Sequence, residues 1–232
     1  MSTGKPLSGR RLLFTAFYLL LWPTLVLWLS GDWMWLEGWC FGRWFVALCV
    51  VTVAWLLRHD PALLAERYRR PGTGGEGRGD TLIVYGLGLG FLAWIVIMPL
   101  DARRFAWTAR LPRGLEPVGA ALLLASSFLM FRAYTDNPYL SALVRIQADR
   151  GQRLVTTGVY GFVRHPMYLG AVAMFRGAPL LTGSRLGLAV GAAVALLLVV
   201  RIVGEERLLA RELEGYAEYR RRVRWRLLPP VW

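Results

Sequence analysis

The chain reads as an all-α protein, a polytopic bundle of about five to six membrane segments with a cytoplasmic amphipathic helix at its C-terminus. Three observations carry this. Of 232 residues, 56% are hydrophobic and 11 are tryptophan, and the mean hydropathy is +0.41, above the range of a soluble domain. Several uncharged runs approach the roughly 20 residues that cross a hydrocarbon core. The arginines cluster beside those runs, where anionic headgroups and the rule of membrane orientation place them. The same clustering argues against nucleic acid as the partner of the +13 net charge, because a nucleic-acid footprint is one continuous basic face.

The first span covers 12–30, with Pro23 set to kink it. Lys5, Arg10 and Arg11 precede it with no small-residue cleavage site after the apolar run, which predicts a retained helix rather than a signal peptide. A short GDWMWLE turn, acidic and rich in tryptophan, suits a membrane interface. The second span covers 36–57, with Arg43 placed to snorkel outward. Its Cys40 and Cys49 lie nine residues apart, about 13 Å along a helix, which is too far for a disulfide. No cysteine–histidine set suggests a metal.

A polar stretch, RHDPALLAERYRRPGTGGEGRGD, ends in a glycine-rich loop. Spans over 81–100 and 117–131 follow, joined by DARRFAWTARLPRG. Residues 136–164 hold no span-length apolar run. Two shorter pieces, 166–181 and 186–200, are joined by TGSR and predict a helical hairpin. Arg176 interrupts the first, so that helix should turn one face to protein or water. The difference between five and six segments is whether this hairpin fully crosses. With six, 20 Lys and Arg fall on the side of the termini and 5 on the other, which makes the former cytoplasmic. Residues 1–135 then form the N-terminal helices and 136–232 a C-terminal module.

Three polar stretches meet on that basic side: GVYGFVRHPMYLG (158–170), RIVGEE (201–206) and EGYAEYRRRV (214–223). Pro166 is placed to begin a helix with His165 just outside it, leaving free N–H groups and a positive dipole end suited to an anion. Gly158, Gly161 and Gly170 permit unusual backbone angles or close approach. Arg201 and Glu205 share a helix face at the end of an apolar run, where a charge needs a partner or a polar cavity. Tyr216, Tyr219 and Val223 repeat at i, i+3 and i+7, one face of a helix.

This ordered set resembles the C-terminal half of isoprenylcysteine carboxyl methyltransferases and related phospholipid methyltransferase-like membrane enzymes. The residues that carry the resemblance are Val155, Gly158, Tyr160, Arg164, His165, Pro166, Tyr168 and Gly170, then Glu205, Glu206 and Leu209, then Tyr216, Tyr219, Val223 and Pro229. It covers about 150–230, and the preceding NPYLSALVRIQADRGQ also resembles bacterial members.

The resemblance implies S-adenosylmethionine bound in a cytoplasmic pocket closed by the tail, with a lipophilic acceptor arriving from the bilayer. Gly158, Tyr160, Arg164, His165, Pro166, Tyr168, Gly170, Glu205, Glu206, Tyr216 and Tyr219 would form the cofactor pocket, aromatic faces and carboxylates suiting a cation. Arg201 and Glu205 would be catalytic, Arg201 orienting an anionic acceptor. Asn137, Ser141, Arg145 and Arg201 would line the acceptor's approach. Carboxylate O-methylation is the expected reaction, without a metal. The Ala-, Arg-, Gly- and Leu-heavy composition suggests a bacterial inner membrane. Two alternatives share these elements, an NADPH-dependent reductase of the sterol type and a non-catalytic membrane scaffold.

Overall fold

A computed structural model describes residues 9–73 and 75–232. Lys5 of the basic N-terminal group lies outside them. Among the described residues there is no strand. Six helices run back and forth: α1 (Gly9–Ser30), α2 (Leu36–His59), α4 (Arg78–Pro99), α5 (Glu116–Asp136), α6 (Pro166–Thr182) and α7 (Arg185–Glu212). Two short helices, α3 (Pro61–Arg67) and α8 (Tyr216–Arg222), cap the same end. Among the described residues four helices are long and apolar enough to cross a membrane: α2, α4 with the π-turn that extends it, α5 with its leading turn, and α7. The 17-residue α6 and the apolar 16–30 part of α1 are shorter. The all-helical membrane architecture is as expected.

An aromatic core joins the helices toward the end of the bundle where α2 starts and α4 finishes. Trp94 of α4 is fully buried, edge-on to Phe41 of α2 and to Phe175 of α6 at 5.9 and 5.0 Å between centroids. Trp44 ties α2 to α5, its indole N–H donating to Leu123 O at 2.9 Å and Ser127 Oγ at 2.7 Å. The tightest pairing is α5 against α6. A Cβ on Gly119 would lie 2.4 Å from Leu181 N, and one on Gly177 would lie 2.9 Å from Gly119 O. Glycine is therefore obligatory where these two backbones meet. The aromatic core takes residues from both halves of the chain, since α4 packs along α7.

The helix ends are pinned on two faces. On the face far from the site, Asp101 is 2% exposed and accepts from Thr108 N and Oγ1, Ser184 Oγ at 2.7 Å and Leu186 N at 3.1 Å. It thereby joins α4 to the start of α7, where Ser184 caps the helix by accepting from Gly187 N. The TGSR turn is as tight as its sequence requires, with Gly183 at φ +88°. Arg103 pairs with Asp32, and Arg110 with Glu37 and Glu116.

Boundaries differ from the sequence reading where charge was taken for an ending. The last apolar run stops at residue 200 when read by hydropathy, but α7 continues twelve residues, through Arg201, Glu205 and Glu206. These charges sit inside a helix because each finds a partner from another element. The polar stretch after α2 contains α3, capped by Asp60 Oδ1 accepting from Leu63 N at 2.8 Å, with Pro61 at its first position. Helix α6 is enclosed on most sides, but Arg176 is its exposed residue and does not mark the enclosed face.

Candidate active site

Helix α6 begins at Pro166 with His165 at its N-cap. Before it, the chain from 137 to 164 forms two short 3₁₀ turns, Ala148–Arg150 and Gly158–Gly161, and otherwise loops over the end of the bundle. The second turn is fixed by Gly158, at φ +59°, where a Cβ would fall 2.0 Å from Asp136 Oδ2. That same carboxylate oxygen accepts from Val159 N at 2.9 Å. Only glycine fits there. Tyr160 follows, 7% exposed, its hydroxyl donating to Ala133 O at 3.3 Å.

Helix α7 brings Arg201, Glu205 and Leu208 alongside, and α8 folds back so that Tyr216 and Tyr219 face inward. These two tyrosines and Val223 are all at most 5% exposed, packed on Leu154, Leu209 and Leu213. The amphipathic face of the tail thus packs on the protein. The elements enclose a cavity of about 330 Å³. Its walls include twelve residues expected from sequence: Asn137, Ser141, Arg145, Tyr160, Arg164, His165, Pro166, Tyr168, Arg201, Glu205, Tyr216 and Tyr219.

Within the wall, the Tyr168 hydroxyl donates to Glu205 Oε2 at 2.6 Å, and that of Tyr219 to Tyr160 O at 2.7 Å. Burial raises the Tyr160 and Tyr216 phenols well above their ordinary range and pushes Tyr219 up to about 12. All three remain protonated donors at neutral pH. The Tyr216 hydroxyl is buried in the cavity wall and has no hydrogen-bond partner. A buried hydroxyl without a partner is uncommon in a folded protein.

Three expected residues stand behind the wall. Gly158 serves the turn. Gly170 allows α6 to approach α5, since a Cβ there would lie 2.7 Å from Met130 Cγ. Glu206 is a hub: it accepts from Arg164 Nε at 2.7 Å and Arg226 Nε at 2.8 Å, with His165 Nε2 at 3.3 Å. Arg164 also donates to Val223 O and Arg224 O, both at 2.7 Å, while the backbone N–H groups of Arg164 and His165 donate to Trp225 O and Arg226 O. Residues 223–226 are thereby bolted to the segment that leads into α6, just beyond the Tyr216 and Tyr219 wall of the cavity.

Sequence reasoning missed two carboxylates. Glu66 of α3, 5% exposed, accepts from Arg145 Nε and Nη2 at 3.0 and 3.1 Å and from Ser141 Oγ at 3.0 Å. Burial alone would raise its pKa, but the bonds to Arg145 and Ser141 hold it below the ordinary carboxylate range. Asp80 of α4 takes Arg201 Nε at 2.9 Å and Nη2 at 3.3 Å. The partners lie 79 and 121 residues apart in sequence, so no local pattern could join them. Among the described residues, no cluster of His, Cys, Asp or Glu could hold a metal ion.

Fold and hydropathy together define an integral, all-helical membrane protein. Residues 116–214 match the family model of phospholipid methyltransferases, which bears out the resemblance read from GVYGFVRHPMYLG onward. A solved structure of the eukaryotic intramembrane Ras methyltransferase ICMT (isoprenylcysteine carboxyl methyltransferase), without a monobody, shares the fold. Its TM-score is 0.61 at 20% identity, covering 94% of this chain and 75% of that one. No curated protein sequence matches the chain.

Proposed function

We propose that the protein is a multi-pass methyltransferase that uses S-adenosylmethionine to methylate a lipophilic acceptor presented from the bilayer. The observation that carries this reading is the cavity walled by Tyr160, His165, Tyr168, Glu205, Tyr216 and Tyr219, with an unpartnered Tyr216 hydroxyl in its wall. These residues suit the cofactor. Its volume is at the lower end of ligand sites, aromatic faces and the Glu205 carboxylate favour a sulfonium cation, and Tyr216 supplies a waiting donor. When bound, S-adenosylmethionine supplies a methyl group on a sulfonium for in-line transfer to a nucleophilic atom. The chain's part is alignment and exclusion of water rather than proton transfer.

In this reading the first turn of α6 and His165, braced by Glu206, hold the cofactor's carboxylate end. Tyr168 fixes Glu205, and the tail shuts out water. Arg201 orients the acceptor. A carboxylate acceptor fits that guanidinium. An amine acceptor is the second reading, favoured by Asp80, which already neutralises Arg201 and leaves Glu205 as the surplus charge. The excess of basic residues on the site face supports a cytoplasmic site in a bacterial inner membrane.

Calorimetric titration with S-adenosylhomocysteine and with NADPH tests the class. Binding of the first alone is expected; binding of NADPH alone would establish the reductase, and of neither the scaffold. Transfer of labelled methyl into a lipid extract then tests the acceptor, alkali-labile label marking an ester and alkali-stable label an amine. His165→Ala and Glu205→Gln should each weaken S-adenosylhomocysteine binding about tenfold or more, and Arg201→Ala should chiefly lower turnover. Unchanged affinity in both of the first two removes the proposed pocket.

Tyr216→Phe is the sharper probe because its two effects have opposite signs. Deleting a buried hydroxyl that has no partner leaves the fold as stable, or more stable by about 1 kcal/mol. The same change should weaken S-adenosylhomocysteine binding about tenfold, a lost hydrogen bond to ligand. Calorimetry and thermal unfolding on the same samples read both, and a loss of stability without a loss of affinity would assign the hydroxyl to the fold.

A further inference from the structure

A second hollow abuts the first. It is an apolar groove of about 560 Å³ between the first turns of α4 and the last half of α7, lined by Gly77, Gly79, Ile83, Val199, Val200 and Val203 among others. Val200 and Gly204 are exposed at its mouth. Arg201, Glu205, Val144 and Leu208 line both hollows, so the partition between them is one residue layer thick.

That partition is a clasp of three elements. Asp80 accepts from Arg201 Nε and Nη2 and from Val144 N at 2.9 Å, while Arg201 Nη2 also donates to Ala142 O at 2.5 Å. Both charged side chains are only 10% exposed. The two halves of the clasp are unlike. Arg201 stands inside a 28-residue helix, with Ile202 beside it fully buried. Asp80 stands in the first turn of α4, directly after GTGGEGRG, where a Cβ on Gly72, Gly75, Gly77 or Gly79 would meet nothing within 4 Å. The carboxylate is thus carried at a helix start that follows an open, glycine-rich turn, and the guanidinium from within a long helix.

A guanidinium offers each edge to one carboxylate at a time, and Asp80 holds the Nε/Nη2 edge. Exchanging that carboxylate for one on an incoming molecule keeps the number of buried ion pairs constant, provided Asp80 can turn to water from the end of its helix. A neutral head group cannot make the exchange, because it would leave a buried guanidinium with no counter-charge.

We propose that Asp80 is the acceptor-selecting residue: it occupies on Arg201 the place of an acceptor's anionic group, and an acceptor whose chain lies in the α4–α7 groove binds by exchanging with it. This deepens the methyltransferase reading and rests on it for the word acceptor. Selection for anionic over neutral lipids follows from the exchange, and the groove between α4 and α7 is the way in from the hydrocarbon.

The test uses purified full-length protein in detergent and two probes, palmitate at a pH where it is ionised and palmitamide, its uncharged counterpart. Asp80→Asn keeps the size of the side chain but removes the competing charge, and should bind palmitate about tenfold more tightly than the parent while palmitamide affinity stays the same. Equal or weaker palmitate binding, or an equal gain for palmitamide, would show that Asp80 merely braces Arg201 and would overturn the proposal. Val203→Trp, which fills the groove and leaves both charges in the chain, guards against misfolding of the first variant. It should lose palmitate binding while keeping S-adenosylhomocysteine affinity, and undiminished palmitate binding would overturn the route. Titration of S-adenosylhomocysteine into the parent protein fails or succeeds separately, so the charge exchange can stand where the methyltransferase reading falls.

Discussion

Glu206→Ala is expected to release the C-terminal tail and to abolish S-adenosylhomocysteine binding in one step. Glu206 is 3% exposed and Arg164 is 7% exposed, and the two meet at 2.7 Å. Removing the carboxylate leaves a buried guanidinium without its counter-charge, which costs about 3–5 kcal/mol where such pairs have been broken. Arg226 loses its anchor too, and with it the tail loses a bond that holds it over His165. Residues 220–226 carry five arginines, so brief trypsin treatment reports the release directly. The variant should be cut there at once while the parent resists, and affinity should fall more than about a hundredfold because the tail forms one wall of the cavity. Arg226→Ala removes only the more exposed arm of the hub, 27% exposed, and should show a smaller version of both effects. A protected tail in Glu206→Ala, with affinity within about twofold of the parent, would place the hub outside the binding machinery.

The same hub shows what could be read from the chain and what could not. The adjacent pair Glu205–Glu206 reads as one motif, yet successive residues on a helix point about 100° apart. Glu205 therefore faces the cavity and Glu206 the tail, a division that becomes visible only when α8 and residues 223–226 are in place. The six apolar helices were legible because hydropathy is summed over some 20 residues and most runs are flanked by arginine or glycine. The end of α7 was not, because charges that signal water in a sequence signal partners in a bundle: Arg201 meets Asp80 from 121 residues away. Helix α3 was overlooked although Asp60-Pro61 is a proper start signal, since seven residues are too few to show a period. The site wall on α6 and α8 was legible through Pro166 and the Tyr216–Tyr219 spacing. Asp80 and Glu66 were illegible because a carboxylate in a polar loop looks the same whether it is solvated or built in.

Gly119→Leu should damage the site from the opposite end of the bundle. Gly119 lies near the start of α5 on the far face, and none of the cavity-lining residues is near it in sequence. An added Cβ would lie 2.4 Å from Leu181 N, 2.6 Å from Gly177 O and 2.9 Å from Leu180 C. All three are backbone atoms of α6, so no side chain can swing aside, and the helices themselves must part. Overpacking of this kind costs about 1–3 kcal/mol when side chains yield and more when backbone must move. Close approach through small residues is also what holds membrane helices together in the absence of a hydrophobic driving force between them. A lever then operates along α6: its far end is pushed from α5, while its other end carries His165, Pro166 and Tyr168 into the cavity. Thermal unfolding in detergent should show a loss of at least about 3 kcal/mol, and calorimetry should show weakened S-adenosylhomocysteine binding without any change to a lining residue. Gly114→Leu is the control, a nearby glycine whose added Cβ meets nothing within 4 Å, and it should be neutral in both measurements. If Gly119→Leu is as stable as the control, the α5–α6 contact is not what positions the site, and the wall formed by α6 must be held from its own end by Arg164, Glu206 and the tail.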